Sequence, residues 1–416
     1  MAGGPADREQ WPPPGFRRFW LGEAVSGVGT WVSLLALQTI VVVTLGGGAT
    51  ETGWLSAARW LPYLVIGLVV GALVDRVPRR PVMVGTDLVR AGLLVTIPLA
   101  WWTGVLSLPV LLAIVVGVAT ATLVNDAASQ SFVPRLVPRR HLQRAHSRMD
   151  GTDAVAQTAG PALGGLLVRL LGGPVTVLVA AVTYLVSAVA VLTLRTDEPV
   201  RTVRARGALR GEVAAGLRWV YRRGGLRDLA GWTHLWFVGQ AVVGAVLAPV
   251  VLRDLALSPL WFGLVTAGVG AGGLVGALSS SAVGRRIGPG GAVVASHLLN
   301  ATGTALAAVA VLAGEGWPVV VLLVLGQVCH GFGLGCSNSH EMAYRQLLTP
   351  DHLQARTNTT MRSLNRAVVV VVAPLAGWAA DAVGVVPVLL VAAGVFVASG
   401  VGLAASAFRR ARLEVD

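Results

Sequence analysis

Apolar runs of about 20 residues, parted by short polar breaks, recur along the whole chain. At 1.5 Å of rise per residue, a helix of that length crosses a hydrocarbon core roughly 30 Å thick. Strand-type segments of alternating polarity are absent, so helices are the structures that can satisfy their backbone groups in lipid. The pattern predicts spans at 19–45, 54–74, 82–102, 106–132, 146–170 and 174–194. A second set follows at 229–252, 259–283, 290–313, 317–345, 357–381 and 384–408. The chain thus divides into a tail (1–18), a six-helix bundle (19–194), a linker (195–228), a second six-helix bundle (229–408) and a tail (409–416).

Composition agrees with an all-α membrane protein. Of 416 residues 54% are hydrophobic and 13% charged, and the mean hydropathy is +0.70. The net charge of +13 does not point to nucleic acid, because its arginines are spread over short loops between apolar runs. Arg17 and Arg18, Arg76 to Arg80, Arg135 to Arg144, the linker, Arg285 and Arg286, Arg345, Arg356 and Arg409 to Arg412 all fall on one side of the predicted topology. By the positive-inside rule that side is cytoplasmic, with both termini, in a multi-pass protein of the inner (plasma) membrane. Residues 195–228 carry nine Arg, and Val213, Leu217 and Val220 fall at helical spacing, as in an amphipathic helix on the inner leaflet. No removable signal peptide is expected in the polar, Pro-rich first 18 residues.

The chain also resembles itself. Pro134 to Ala145 is similar to Arg345 to Arg356, Ala159 to Gly165 to Ala373 to Gly377, and a GAL followed by paired arginines occurs at Gly71 to Arg80 and Gly276 to Arg286. The copies lie about half the chain apart, and an even number of spans per copy makes them parallel. Parallel halves imply a central cavity and rocking of one half on the other, which is a transporter architecture.

On these residues the chain resembles the major facilitator superfamily over essentially its whole length. GALVDRVPRR (Gly71 to Arg80) is similar to that superfamily's loop signature between helices two and three, and Asp87 to Arg90 resembles the branch of enterobactin and macrolide exporters. Gly160, Pro161, Gly164 and Gly165 are similar to the tail of the helix-five antiporter motif, although Ala156 stands where that motif has Gly and helix four lacks the usual Arg. The resemblance implies twelve transmembrane helices in two parallel bundles around a central cavity, and export driven by proton antiport.

Ionisable groups at the centre of a span cost roughly 2.5–3.5 kcal/mol, so those present mark a path for substrate or ion. Glu23, Ser26, Thr30 and Ser33 follow one another at steps of three and four, a stripe that must face a cavity or another helix, with Gln38 further along. Glu23 is also near enough to Arg18 for an interfacial ion pair. Helix four sets Thr122, Asp126 and Gln130 at four-residue steps with Asn125 beside them, and Asp126 lies about 13 Å of helix rise from Arg135. Helix five aligns Asp150, Asp153 and Gln157, and helix ten carries Gln327, His330, Asn338 and Glu341. Asp126, then Glu23 and Asp153, are the proton-coupling candidates. The remaining residues, with Arg59 and Gln240 but without Thr122, Gln130 and Asp150, are the substrate-cavity candidates.

Two other groups have a structural expectation. Asp87 and Arg90, three apart, can neutralise each other. His297, Asn300 and Thr304 share a face of helix nine, which the resemblance puts at the periphery. Cys329, Cys336 and His340 are better explained by packing than by a metal, and no cofactor is expected. Asp75 would end its helix where the dipole disfavours an acid, so we expect it to meet the start of helix eleven near Thr357 and Arg362. Gly71, Arg76 and Arg80 join that latch between the halves.

With no phosphate-cradling loop and no HEXXH, catalysis is not expected. The expected function is secondary, proton-coupled efflux of an amphipathic small molecule such as a drug, antibiotic or siderophore, by a monomer in the lipid bilayer. Import of a metabolite by the same fold, and a non-transporting membrane sensor or assembly partner, are the alternatives.

Overall fold

A computed structural model describes residues 11–67, 70, 74, 77–194, 208–222 and 224–410. Among these the first half comprises α1 (Pro14–Thr39), α2 (Ala49–Val65), α3 (Arg79–Trp102), α4 (Leu108–Leu136), α5 (Leu142–Leu171) and α6 (Gly173–Leu192). A linker helix, α7 (Ala208–Arg222), leads to α8 (Gly224–Pro249). The continuous run Pro259–Ala313 breaks at Gly288 into two arms, α9 (259–287) and α10 (289–313), before α11 (Trp317–Leu348), α12 (Asp351–Val383) and α13 (Val385–Ala405). Among the described residues ten helices are long and apolar enough to cross a membrane. Counting the two arms apart, and adding α2 (Ala49–Val65), gives the twelve spans.

The parallel repeat extends to backbone detail. α1 and α8 each end in a π-helical turn, Ile40–Thr44 and Val250–Asp254. Gly172 and Gly384 start α6 and α13 with nearly the same backbone, φ 79° and 90° with ψ 159°, and Gly288 repeats it at 76° and 158°. That region is open essentially to glycine alone, so these three residues set hairpins that other side chains would strain.

Packing differs between the two ends of the bundle. At the end away from the linker, one continuous apolar core joins the halves, running from Leu35, Ile40 and Leu55 through Val246, Val251 and Phe262 to Ala373 and Leu389. At the linker end each half keeps its own core: Phe16, Phe19, Met83 and Phe132 in the first, Leu229, Val293, Leu403 and Phe408 in the second. Among the described residues the halves therefore share a core at the far end and keep separate cores at the linker end. Large apolar side chains on the outer faces, such as Val189, Leu312 and Trp378, are exposed, as lipid contact requires.

Pro350 stops α11 and stands at the N-cap of α12, so that helix starts at Asp351, ahead of the apolar span Arg356–Val383. α7 is not a free surface helix: Val220 is buried with Ala230 and Met361, and Gly216 lies against Arg356 and Thr360 of α12.

Candidate functional site

The space between the halves is lined mid-bundle by α2, α4 and α12. Trp60 and Tyr63 are three apart on α2 and so share a face. The Arg366 guanidinium of α12 lies over both rings, 4.9 Å from Trp60 and 4.0 Å from Tyr63, while Arg59 sits 5.1 Å from Trp60. Such contacts contribute about 0.5–2 kcal/mol each, more when desolvated. Tyr63 Oη donates to Asp126 Oδ2 of α4 at 3.0 Å. Asp126 is exposed, with Arg362 and Arg366 of the opposite half within electrostatic range. An acid of the first half thus faces two cations of the second across an open space.

Behind Asp126 lies a buried network. Ser129 donates to Glu23 Oε2 at 3.4 Å, and Glu23 is in range of Asp126, Asp87 and Arg90. Arg90 is hydrogen-bonded to Asp87, and its guanidinium lies 4.2 Å from the Tyr184 ring. Asn125 binds α3 through the Met83 carbonyl, Thr86 Oγ1 (2.8 Å) and Asp87 Oδ1 (3.3 Å). Glu23 and Asp126 therefore belong to one connected group. Asn125 faces α3 rather than the open space.

The far end is closed by backbone against backbone. A Cβ on Gly165 of α5 would lie 3.0 Å from the Gly263 Cα of α9, and one on Gly263 equally near the Gly165 Cα. Gly53 of α2 and Gly377 of α12 meet the Ala373 and Ala49 carbonyls in the same way. Only glycine permits such approach. Gly160 and Gly164 of the helix-five motif seat Trp31 and Val32 of α1, and the Pro161 carbonyl faces Gly263.

Other singled-out residues lie elsewhere. Ser26 and Ser33 are buried; Thr30 Oγ1 bonds the Ser26 carbonyl (2.9 Å) and Tyr184 Oη (3.0 Å), and Ser33 bonds the Thr30 carbonyl. That stripe faces α6. Asp153 is exposed beside Trp31 and Asp150, apart from the Glu23–Asp126 group. Gln38, Gln157 and Gln240 are half-buried, and Asn338 is exposed. Gln327 and His330 line a small apolar cavity inside the second half, and Glu341 is buried next to Thr233 and His297. Arg80 donates to the Leu192 carbonyl, and Gly71, Asp75 and Arg76 lie outside the described residues. Arg366, Trp60 and Tyr63 carry much of this geometry without having been singled out in the sequence. For Arg366 the available signal is a cation at the edge of the run Ala367 to Val372.

Two parallel six-helix halves around an open, charged and aromatic space are the architecture of a membrane transporter. The family model of the Major Facilitator Superfamily matches residues 19–356, and the chain belongs to that superfamily. It is 30% identical over 368 residues to the multidrug efflux pump Tap of Mycolicibacterium fortuitum, covering 86% of this chain and 87% of that protein. It is also 30% identical over 157 residues to macrolide efflux protein A of Streptococcus pyogenes, covering 36% and 37%. These relatives fit the efflux branch that the sequence motifs resemble. A crystal structure of the nucleoside transporter NupG superposes with a TM-score of 0.77 at 13% identity, covering 94% of this chain and 99% of that one, which supports the shared fold.

Proposed function

We propose that the chain is a proton-coupled exporter of amphipathic small molecules of the drug, antibiotic or siderophore kind, with its linker end and both termini in the cytoplasm. The Arg-rich loops support that orientation, since basic loops stay inside. The names of the efflux relatives support the direction. The observation that carries the mechanism is Asp126, exposed between the halves, hydrogen-bonded to Tyr63 and facing Arg362 and Arg366.

In the linker-open state a substrate enters beside Trp60 and Tyr63. Their rings suit a flat aromatic molecule. A proton or a substrate can each alter the attraction of Asp126 for α12, so only one partner at a time favours each arrangement of the halves. Antiport is the result.

Purified protein in vesicles with an imposed pH gradient tests this, with ethidium and erythromycin as probes. Wild type should accumulate a probe only while the gradient lasts, a protonophore should abolish the uptake, and Asp126→Asn should match protein-free vesicles. Equal accumulation by Asp126→Asn and wild type would sink the assignment.

A further inference from the structure

The two halves carry the same buried polar cluster with its chemistry exchanged. In the first, Ser129 of α4 donates to Glu23 of α1 at 3.4 Å; at the corresponding junction of the second, Thr233 of α8 donates to Glu341 of α11 at 3.3 Å. Asp87 of α3 faces Ser187 of α6, while His297 of α10 bonds Ser399 of α13 through Nδ1 at 2.9 Å. Arg90, three residues after Asp87, corresponds to Asn300, three after His297. The hydroxyls and the helices match. What differs is the cation.

In the first half the cation is a guanidinium, charged at every accessible pH, so the Asp87–Arg90 pair never needs a proton. Asn300 is neutral and already engaged: its Oδ1 accepts from Trp236 Nε1 and its Nδ2 donates to the His330 carbonyl, both at 2.8 Å. Glu341, 8% exposed, instead has His297 Nε2 at 3.9 Å from Oε1. The hydrogen bonds around His297 decide its tautomer. Ser399 Oγ donates its hydrogen to the Trp232 carbonyl at 2.7 Å, so towards His297 it can only accept, and Nδ1 carries a hydrogen. In neutral His297 the remaining nitrogen, Nε2, would then turn a lone pair towards the carboxylate. Two acceptors 3.9 Å apart repel each other, and one proton on either group turns the pair attractive.

The other charged or titratable groups around the pair do not supply that proton. On α11, His330 has neither ring nitrogen hydrogen-bonded, and His340 is turned to the Ser280 carbonyl. Arg345 bonds the Glu341 carbonyl at 3.3 Å; it is in electrostatic range of the carboxylate but shared with the field of Arg362 from α12. Cys336 faces Ser296 of α10. On α8, His234 is held by Tyr221 and Asn365, and α13 offers only the Ser399 hydroxyl.

We propose that His297 and Glu341 form a proton-binding site of the second half, occupied by one proton in this linker-open state and distinct from Asp126. Asn338, about one helical turn before Glu341 on α11, is exposed, so a modest movement of α11 opens a route from the pair to the central space. The proton is exchanged there as the halves rock. This role rests on the proton-coupled transport proposed above, but the occupancy of the pair does not.

The test separates the two. Full-length protein with 15N-labelled histidine is placed in lipid nanodiscs, and the His297 resonances are assigned by their loss in His297→Asn. Infrared spectra of wild type and Glu341→Gln report a protonated carboxyl. The expected result at neutral pH is either an imidazolium at His297 or a carboxylic-acid band that Glu341→Gln removes. A neutral His297 beside an ionised Glu341 overturns the site whatever the transport data show. In vesicles, His297→Asn and Glu341→Gln should lose gradient-driven ethidium accumulation while retaining ethidium exchange across the membrane at equal pH. Unchanged gradient-driven accumulation in both variants overturns the coupling role. A wild type with exchange but no response to the gradient overturns proton coupling itself and leaves the spectroscopy to decide the site.

Discussion

Asp381, near the end of α12, accepts hydrogen bonds from both the backbone N–H (2.9 Å) and the hydroxyl (2.6 Å) of Thr50 in the first turn of α2. Its other oxygen accepts from the Ala49 N–H at 3.2 Å. The carboxylate of one half thus caps a helix of the other, where unpaired N–H groups and the dipole favour an anion. Glu51 satisfies the Gly48 N–H from within α2 at 2.7 Å, so the first turn is saturated only while the far end is shut.

Loss of that cap should favour the state closed at the linker end. Caps of this kind contribute about 0.5–2 kcal/mol, and 1–2 kcal/mol changes a two-state ratio by roughly 5- to 30-fold. Asp381→Ala should therefore raise the labelling rate of a cysteine placed at Ser56 or Leu260 by about that range, with little loss of thermal stability. An unchanged labelling rate would show that the cap does not bias the equilibrium.

The glycine contacts at the same end predict a harsher effect. A methyl at Gly165 meets the backbone of α9, not a flexible side chain, and cannot be accommodated without parting the halves. Gly165→Ala should depopulate the far-end-closed state, and Gly165→Leu should abolish it. Distances between spin labels on α5 and α9 would lengthen at the far end, and transport would fall with the protein still monodisperse. Short distances in Gly165→Leu would refute this.

How far the sequence carries is clear from these residues. Run length, arginine placement and the internal repeat reach the twelve spans and the parallel halves, because lipid imposes those patterns on every segment alike. Asp126 and Glu23 are legible for a related reason: an acid deep in a span needs a purpose. Asp381 is not, since it stands near a helix end like many solvated acids, and its partner at Thr50 is 331 residues away. The stripe of Ser26, Thr30 and Ser33 shows a polar face but not what covers it. Tyr184 and carbonyls of its own helix do so. Nor does spacing reveal that His297 meets Glu341, because the contact joins two helices through the fold of one half.

Arg366 should be sensitive to a charge-conserving change. A lysine ammonium keeps the positive charge facing Asp126 but lacks the flat guanidinium that covers both Trp60 and Tyr63. Losing about 0.5–2 kcal/mol of stacking should raise the KM for an aromatic probe such as ethidium by roughly 2- to 30-fold, with a smaller change in maximal rate. An unaltered KM in Arg366→Lys would show that the stacked cation takes no part in binding.

The Asp87–Arg90 pair should respond as a unit. Both side chains are buried, Asn125 donates to the same Asp87 oxygen as Arg90, and Tyr184 covers the guanidinium. Removing one partner leaves a bare charge inside the bundle, at a cost of about 3–5 kcal/mol, whereas removing both leaves none. Arg90→Gln and Asp87→Asn should each lower the thermal midpoint in detergent sharply. The double variant should be more stable than the sum of the two losses, and more stable than Arg90→Gln alone, because the amide introduced by Asp87→Asn is a neutral neighbour that can still bond Asn125. Simple additivity would mean that the two groups stabilise α3 independently, and that the charge of Arg90 serves Glu23 rather than Asp87.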